Sequence, residues 1–200
     1  MPNEPFNKEI EIEKAQEYLM LYKNGIESTD KKKEILTLAT EFQKQSLFTY
    51  ARRLFQLLHQ NDVKGKEDEI ITKKLAVCTY KDTDLSSDVK YNAAAKLLIN
   101  RFEKNGKITS AKVLGNLGSI FKKKWKYENF DGHLYQSLRY YLQGYKIACR
   151  PESNRFSDIG FCGINLAFVY DLLSNLDFLQ KEKITEGFLP DFEGDPFVEM

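Results

Sequence analysis

Hydrophobic and polar positions alternate with the period of an α-helix through most of this chain. The clearest apolar stripe is formed by Leu114, Leu117, Phe121 and Trp125, which recur at helical spacing. Gly118 lies inside that stripe, at a position where a side chain is normally found. Because glycine in a helix interior costs about 1 kcal/mol relative to alanine, we expect it to permit the close approach of a second helix.

A second helix downstream carries a complementary pattern, in which Ser137, Tyr141 and Gly144 alternate small, aromatic and small positions. This alternation is typical of a tetratricopeptide-type helical hairpin, whose helix A carries L-G-x-x-Y and whose helix B carries A-x-x-x-F-x-x-A. The pattern predicts an all-α fold, in which tetratricopeptide-like antiparallel hairpins stack as a short right-handed solenoid.

The same alternation organises the whole chain, 1–200, as a single helical-repeat domain. Its predicted order is a leading helix at 6–24, hairpins at 31–62, 66–104 and 110–150, a last A helix at 158–180, and a tail at 181–200. In the third hairpin, 128–133 reads as an inserted loop. Leu166, Ala167 and Tyr170 fill the diagnostic slots of the last A helix. Because no strong B helix follows it, we expect either that the tail caps the array or that the natural protein continues.

Composition limits the class of protein. A net charge of +1 argues against binding to bulk nucleic acid, and 14 Phe with 11 Tyr argue against disorder. No apolar run approaches the roughly 18 residues of a membrane span. The three cysteines lack metal-ligand spacing, which indicates reduced thiols in the cytoplasm. We therefore expect a soluble cytoplasmic protein that needs no cofactor and no metal.

A resemblance to a known family rests on four short blocks, at 78–82, 114–125, 140–145 and 163–168. In their order and spacing the chain resembles the TRAF-binding, tetratricopeptide-like domain of the apoptosis signal-regulating kinases and its bacterial relatives, over roughly residues 51–173. The resemblance implies an all-α repeat domain used for regulation and assembly. It also implies that bacterial relatives serve in signalling and defence systems, where they sense nucleotide-derived signals.

In stacked repeats the A helices line a concave surface, so their polar residues outside the core are the candidate binding residues. These candidates are Lys74, Tyr80 and Lys81 on the second A helix, Asn116, Lys122, Lys123 and Trp125 on the third, and Asn165 on the fourth, with Lys73, Lys112, Ser119 and Asp171 on the same surface. Ammonium groups supply charge, and carboxamides supply oriented hydrogen bonds to carboxylates or phosphates. The rings of Tyr80 or Trp125 could stack on a base or a peptide aromatic.

Structural roles also explain several of these residues. The basic run 122–126 fits a solvated helix end that complements the macrodipole. The dipeptide Lys81-Asp82 fits a capped turn, and Asn165 fits a hydrogen bond to the backbone of its own helix. Trp125 fits a core position. The sequence leaves both interpretations of these residues open.

Catalytic motifs are weak in this sequence. His59 and His133 are far apart, Cys162 has no activating neighbour in sequence, and no phosphate-binding glycine loop follows a strand. We therefore predict a non-catalytic regulatory or scaffold module that binds an acidic peptide or protein partner in a basic groove, in signalling or bacterial defence. The alternative is a sensor of a nucleotide-derived, phosphate-bearing signal. Self-association through the open C-terminal end is a further expectation.

Overall fold

A computed structural model of the chain describes residues 7–61, 65–150 and 156–175. Its helices are α1 (Lys8–Leu21), α2 (Thr29–Lys44), α3 (Phe48–Gln60), α4 (Gly65–Lys81), α5 (Ser87–Phe102), α6 (Ala111–Glu128), α7 (Asp131–Ala148) and α8 (Phe156–Ser174). Within the described residues, β pairing is limited to an isolated bridge between Lys104 and Lys107. The predicted all-α helical-repeat fold is confirmed. The chain forms two compact units, unit 1 at Met1–Glu103 and unit 2 at Lys104–Met200.

Local sequence explains where the helices begin and end. Ser28 and Ser110 are N-caps of α2 and α6, and their hydroxyls accept hydrogen bonds from backbone amides of the first turn. Asn129 ends α6 in the left-handed conformation, with φ of 52°, which asparagine tolerates better than most residues. Since α7 begins two residues later, at Asp131, the loop expected at 128–133 is in fact a two-residue turn.

The core of unit 1 is formed where α2, α3 and α4 pack against one another, with α1 against α2 and α3. Phe42 and Phe55 are fully buried and occupy the A-helix and B-helix positions that the repeat pattern predicts. The ring of Phe42 stacks on that of Tyr50, with centroids 5.5 Å apart. Burial of these aromatic side chains stabilises this unit.

The predicted glycine contact is present in unit 2. A Cβ atom on Gly118 of α6 would lie 2.8 Å from ring atoms of Tyr141 on α7. The Ser137 hydroxyl donates to the Gly118 carbonyl oxygen at 2.7 Å, so both small residues serve the α6–α7 contact. Gly144 plays the same role towards α8, because its Cβ would lie 2.9 Å from the sulfur of Cys162. Small residues placed opposite large ones therefore hold α6, α7 and α8 together.

Helix α8 buries a different face from the predicted one. Cys162, Val169 and Leu173 are buried, whereas Ala167 and Tyr170 are exposed. Leu166, the remaining predicted slot, is partly buried against the core around Leu134 and Leu138. The part of the predicted last helix and tail after residue 175 lies outside the described residues. Although α8 is the most apolar helix, none of the described helices is long and apolar enough to cross a membrane.

Candidate functional site

Two of the predicted binding residues meet in unit 2. Helices α6 and α8 are in contact, and the Lys122 ammonium on α6 donates a hydrogen bond of 2.6 Å to the Oδ1 atom of Asn165 on α8. The other end of the Asn165 carboxamide donates to the Phe161 carbonyl oxygen of its own helix at 2.8 Å. Asn165 therefore makes the backbone hydrogen bond that its helix position suggests, and in the same orientation holds Lys122.

Aromatic rings complete the surroundings of this lysine. The Lys122 Nζ atom lies 4.8 Å from the ring centroid of Phe168 and 5.8 Å from that of Tyr141, within the range of cation–π attraction. The Tyr141 hydroxyl lies 2.9 Å from the Ser119 hydroxyl. We call Ser119, Lys122, Tyr141, Asn165 and Phe168 the Lys122 cluster.

The charge of the Lys122 cluster is uncompensated. Burial lowers the pKa of Lys122, and the positive charge of neighbouring Lys123 adds to this effect. Within the described part of the chain, no carboxylate forms an ion pair with Lys122. An anionic group that reached this ammonium would restore the interactions that burial removes, so the arrangement favours an anion.

Two further predicted residues of α6 lie beside the cluster. Asn116 is one turn before Ser119 and is 9% exposed. Its carboxamide has no hydrogen-bond partner among the described residues, although its polar atoms reach the surface. Lys123 is exposed and likewise has no partner in the described ranges. Lys123 is therefore accessible to a ligand, whereas Asn116 is largely buried.

Trp125 has a structural role. Its indole Nε1–H donates to the Asp131 carboxylate at 3.0 Å. The partly buried ring packs against the core of unit 2 around Leu134 and Leu138. This tryptophan thus ties the end of α6 to the start of α7, as the core interpretation of the residue requires.

The candidates of unit 1 are engaged with their own unit. Lys74 donates to the Thr40 hydroxyl at 3.0 Å, and its ammonium lies 5.6 Å from the ring centroid of Phe55. The ammonium of Lys81 lies 5.1 Å from the ring centroid of Phe48. Tyr80 is only 8% exposed, and burial raises its pKa to about 12. The expectation that the Tyr80 ring is open to stack on a ligand is therefore not met, because the residue is buried.

Asp82, next to Lys81, is a fully buried carboxylate whose tertiary contacts are not predicted from the sequence. Its carboxylate accepts hydrogen bonds from Arg52 Nε at 2.5 Å, from the Thr49 hydroxyl at 2.7 Å and from the Asp84 amide at 2.9 Å. Burial alone would raise the pKa of Asp82, but these hydrogen bonds outweigh it and hold the pKa below its usual value. The bond from Asp84 is the local turn that Lys81-Asp82 suggests; the bonds from α3 add a tertiary contact.

The thiols show no sign of activation. Cys78 and Cys162 are buried, and burial is the main reason that their pKa values rise to about 12 and about 11. A raised pKa keeps a thiol protonated and unreactive. Cys149, at the end of α7, is exposed. Across the described residues, no group of three His, Cys, Asp or Glu side chains is placed to hold a metal ion.

Hairpins of α-helices held together by small residues against aromatic rings define a tetratricopeptide-like repeat protein. The sequence model of the Tetratricopeptide Repeats-Sensor family matches residues 47–170, which is more than half of the chain, and the chain belongs to this family. No curated protein and no solved structure matches it. The predicted tetratricopeptide-like repeat is confirmed, while the narrower likeness to the TRAF-binding domain of the apoptosis signal-regulating kinases stays a resemblance.

Proposed function

We propose that this protein is a non-catalytic sensor or scaffold module that binds an acidic peptide of a partner protein at the Lys122 cluster. One observation carries the proposal. The half-buried ammonium of Lys122 is held by Asn165 and two aromatic rings, and no carboxylate of the described residues neutralises it. An acidic side chain would supply the missing charge and accept a charge-assisted hydrogen bond.

The surface beside the cluster favours a peptide over a bare anion. Phe161, Ile164 and Phe168 follow one another at helical spacing on α8 and are 44%, 74% and 49% exposed. Exposed apolar groups in a row are typical of interaction surfaces. A segment with one acidic residue between apolar ones would place its carboxylate on Lys122 and its apolar side chains on this row.

A phosphate-bearing small molecule is the second candidate, and the aromatic rings favour it. Phe161 and Phe168 flank the position where a ligand would meet Lys122, so a base could stack there while a phosphate reached the ammonium. Asn116, with its free carboxamide, would add a hydrogen bond. The name of the family, which describes a sensor, agrees with a ligand of this kind.

The proposal also covers the setting of the module. We propose that it works in cytoplasmic signalling or in a bacterial defence system, as its resemblance to the TRAF-binding domain of the apoptosis signal-regulating kinases and its bacterial relatives implies. Self-association through the C-terminal end of the array is part of the same proposal, because Ile164 and Phe168 of α8 are exposed.

Charge reversal at Lys122 tests the site. We expect Lys122→Glu to weaken binding of an acidic peptide by about tenfold or more, because a charge-assisted hydrogen bond is replaced by repulsion. The measurement is binding to an array of fluorescent peptides, in which one Glu between apolar residues is compared with Gln at the same position. Lys126→Glu, on the exposed side of the same helix, is the matched control and should bind as the unchanged protein does.

Two measurements distinguish an acidic peptide from a phosphate-bearing small molecule as the ligand. If the array shows no preference for Glu over Gln, or if Lys122→Glu binds as well as Lys126→Glu, the acidic-peptide proposal is wrong. A thermal-shift series with mononucleotides and cyclic nucleotides examines the alternative, because a ligand of the native state raises the melting temperature by mass action. Stabilisation by a nucleotide that Lys122→Glu abolishes would favour the sensor.

A further inference from the structure

Unit 1 contains a cavity of about 630 Å³ between α3, α4 and α5. Its apolar lining comes from Leu75, Leu85, Val89, Ala93 and Leu97. The volume lies within the range of about 300–1,000 Å³ that is typical of small-molecule sites. The cavity therefore offers a ligand-sized apolar space that the Lys122 cluster does not use.

The charged side chains in the lining of this space are all positive. Arg52, Lys96 and Arg101 line it, together with the imidazole of His59, and no Asp or Glu is among the residues that line it. Lys96 is exposed and has no partner within the described residues. Positive groups beside low-dielectric walls attract anions more strongly than the same groups in open water.

The carboxylates that hold the two arginines are not among the lining residues, although Asp68 also lies 3.3 Å from Nδ1 of His59. Asp82 accepts from Arg52 Nε and Asp68 accepts from Arg101 Nε, each at 2.5 Å. The terminal nitrogens make longer contacts: Arg52 lies 3.4 Å from Gln56, and Arg101 lies 3.2 Å from the Gly65 carbonyl oxygen and 3.7 Å from the Glu69 carboxylate. Because a guanidinium has five N–H donors, each arginine keeps donors for a ligand while its orientation is fixed.

Neutral polar groups complete the lining. The carboxamides of Gln60 and Asn100 belong to it and have no hydrogen-bond partner among the described residues. The Thr72 hydroxyl, also in the lining, lies 3.4 Å from Nδ1 of His59. Such groups fix the orientation of a bound molecule, whereas the apolar residues supply most of its contact area.

We propose that this cavity is a second binding site, which takes a small organic anion with a flat apolar body and one carboxylate or phosphate group. The body lies against Leu75, Val89 and Leu97. The anionic group meets Lys96 and the outer nitrogens of the two arginines. This site lies in unit 1 and shares no residue with the Lys122 cluster, so it stands apart from the proposed function.

Calorimetric titration of the full chain with three naphthalene probes tests the proposal. We expect 1-naphthyl phosphate and 1-naphthoate to bind, and neutral 1-naphthol to bind about tenfold more weakly, because it lacks charge-assisted hydrogen bonds. The ratio of the two anions then tells a phosphate site from a carboxylate site. If neither anion binds at millimolar concentration, or if the naphthol binds equally well, the proposal is wrong.

Substitutions locate the bound probe. Ala93→Trp fills the cavity and should abolish binding, whereas Asn92→Trp, exposed on the same helix and outside the lining, should not. Lys96→Ala should weaken binding of the anions by about tenfold, and its control Arg53→Ala, also exposed and outside the lining, should leave it unchanged. Binding that survives both Ala93→Trp and Lys96→Ala, or that only Lys122→Glu removes, would place the probe elsewhere and overturn the proposal.

Discussion

Replacement of Asp82 by alanine lowers the free energy of unfolding by about 3–5 kcal/mol, which is the usual cost of removing one partner from a buried ion pair. The Arg52 guanidinium, with only 16% of its side chain exposed, then loses the carboxylate that holds it. The Thr49 hydroxyl loses its acceptor as well. The cost is high because buried donors are left without partners, not because the ion pair itself is strong.

Urea unfolding followed by far-UV circular dichroism measures this loss. The matched control is Asp84→Ala, two residues away, where the side chain is exposed and only the backbone amide bonds to Asp82. We expect the control to change the free energy by less than about 0.5 kcal/mol. Equal effects of the two substitutions would show that the Arg52–Asp82 contact contributes little.

The dependence of the unfolding free energy on pH provides a second test of the role of Asp82. Because hydrogen bonds hold the pKa of folded Asp82 below its usual 3.8, the stabilisation from this carboxylate is complete above that value and is lost as the pH falls through the folded pKa. Asp82→Asn has no such proton to bind. The difference in unfolding free energy between the unchanged protein and Asp82→Asn should therefore shrink as the pH is lowered below about 4.

Replacement of Gly118 by alanine should lower the free energy of unfolding by about 1–3 kcal/mol, which is the second large effect that we expect. The added methyl group would lie 2.8 Å from the Cγ, Cδ1 and Cε1 atoms of Tyr141. That ring is fully buried and its hydroxyl is held near Ser119, so the ring cannot swing aside. Alanine gains about 1 kcal/mol over glycine in helix propensity, and we expect the steric conflict to exceed this gain.

A second glycine serves as the control for this substitution, because there we expect alanine to stabilise the protein. Gly160 is in α8, and a Cβ atom placed there meets no atom within 4 Å, so Gly160→Ala should stabilise the protein by up to about 1 kcal/mol. The fluorescence of Trp125, the single tryptophan of the chain, follows unfolding in urea for both variants. Stabilisation by Gly118→Ala would mean that α6 and α7 can separate without cost.

The hairpin packing was predictable because it depends on residue size at a fixed spacing. Gly118 opposite Tyr141 follows from the small and large positions of consecutive helices, and the structure confirms that contact. The contact between Lys122 and Asn165 is also partly predictable, since the repeat pattern places both residues on A helices of successive hairpins. A period in sequence is enough to place such residues on neighbouring elements.

Other features depend on pairings that no period encodes. Arg52 and Asp82 are 30 residues apart. The cavity of unit 1 does not follow from the pattern of the A helices, because most of its lining comes from α3 and α5, which are B helices. A signal did exist, since Arg52, Gln56 and Gln60 recur at intervals of four on α3 and so form one polar row beside the cavity.

The unequal accessibility of the three thiols has a practical use. Cys78 and Cys162 are buried and stay protonated at neutral pH, while Cys149, at the end of α7, is exposed. A maleimide dye should therefore attach at one position in the native protein, with no engineered cysteine and no removal of native ones. Unit 2 then carries its own optical reporter, through which the arrival of a peptide or nucleotide can be timed.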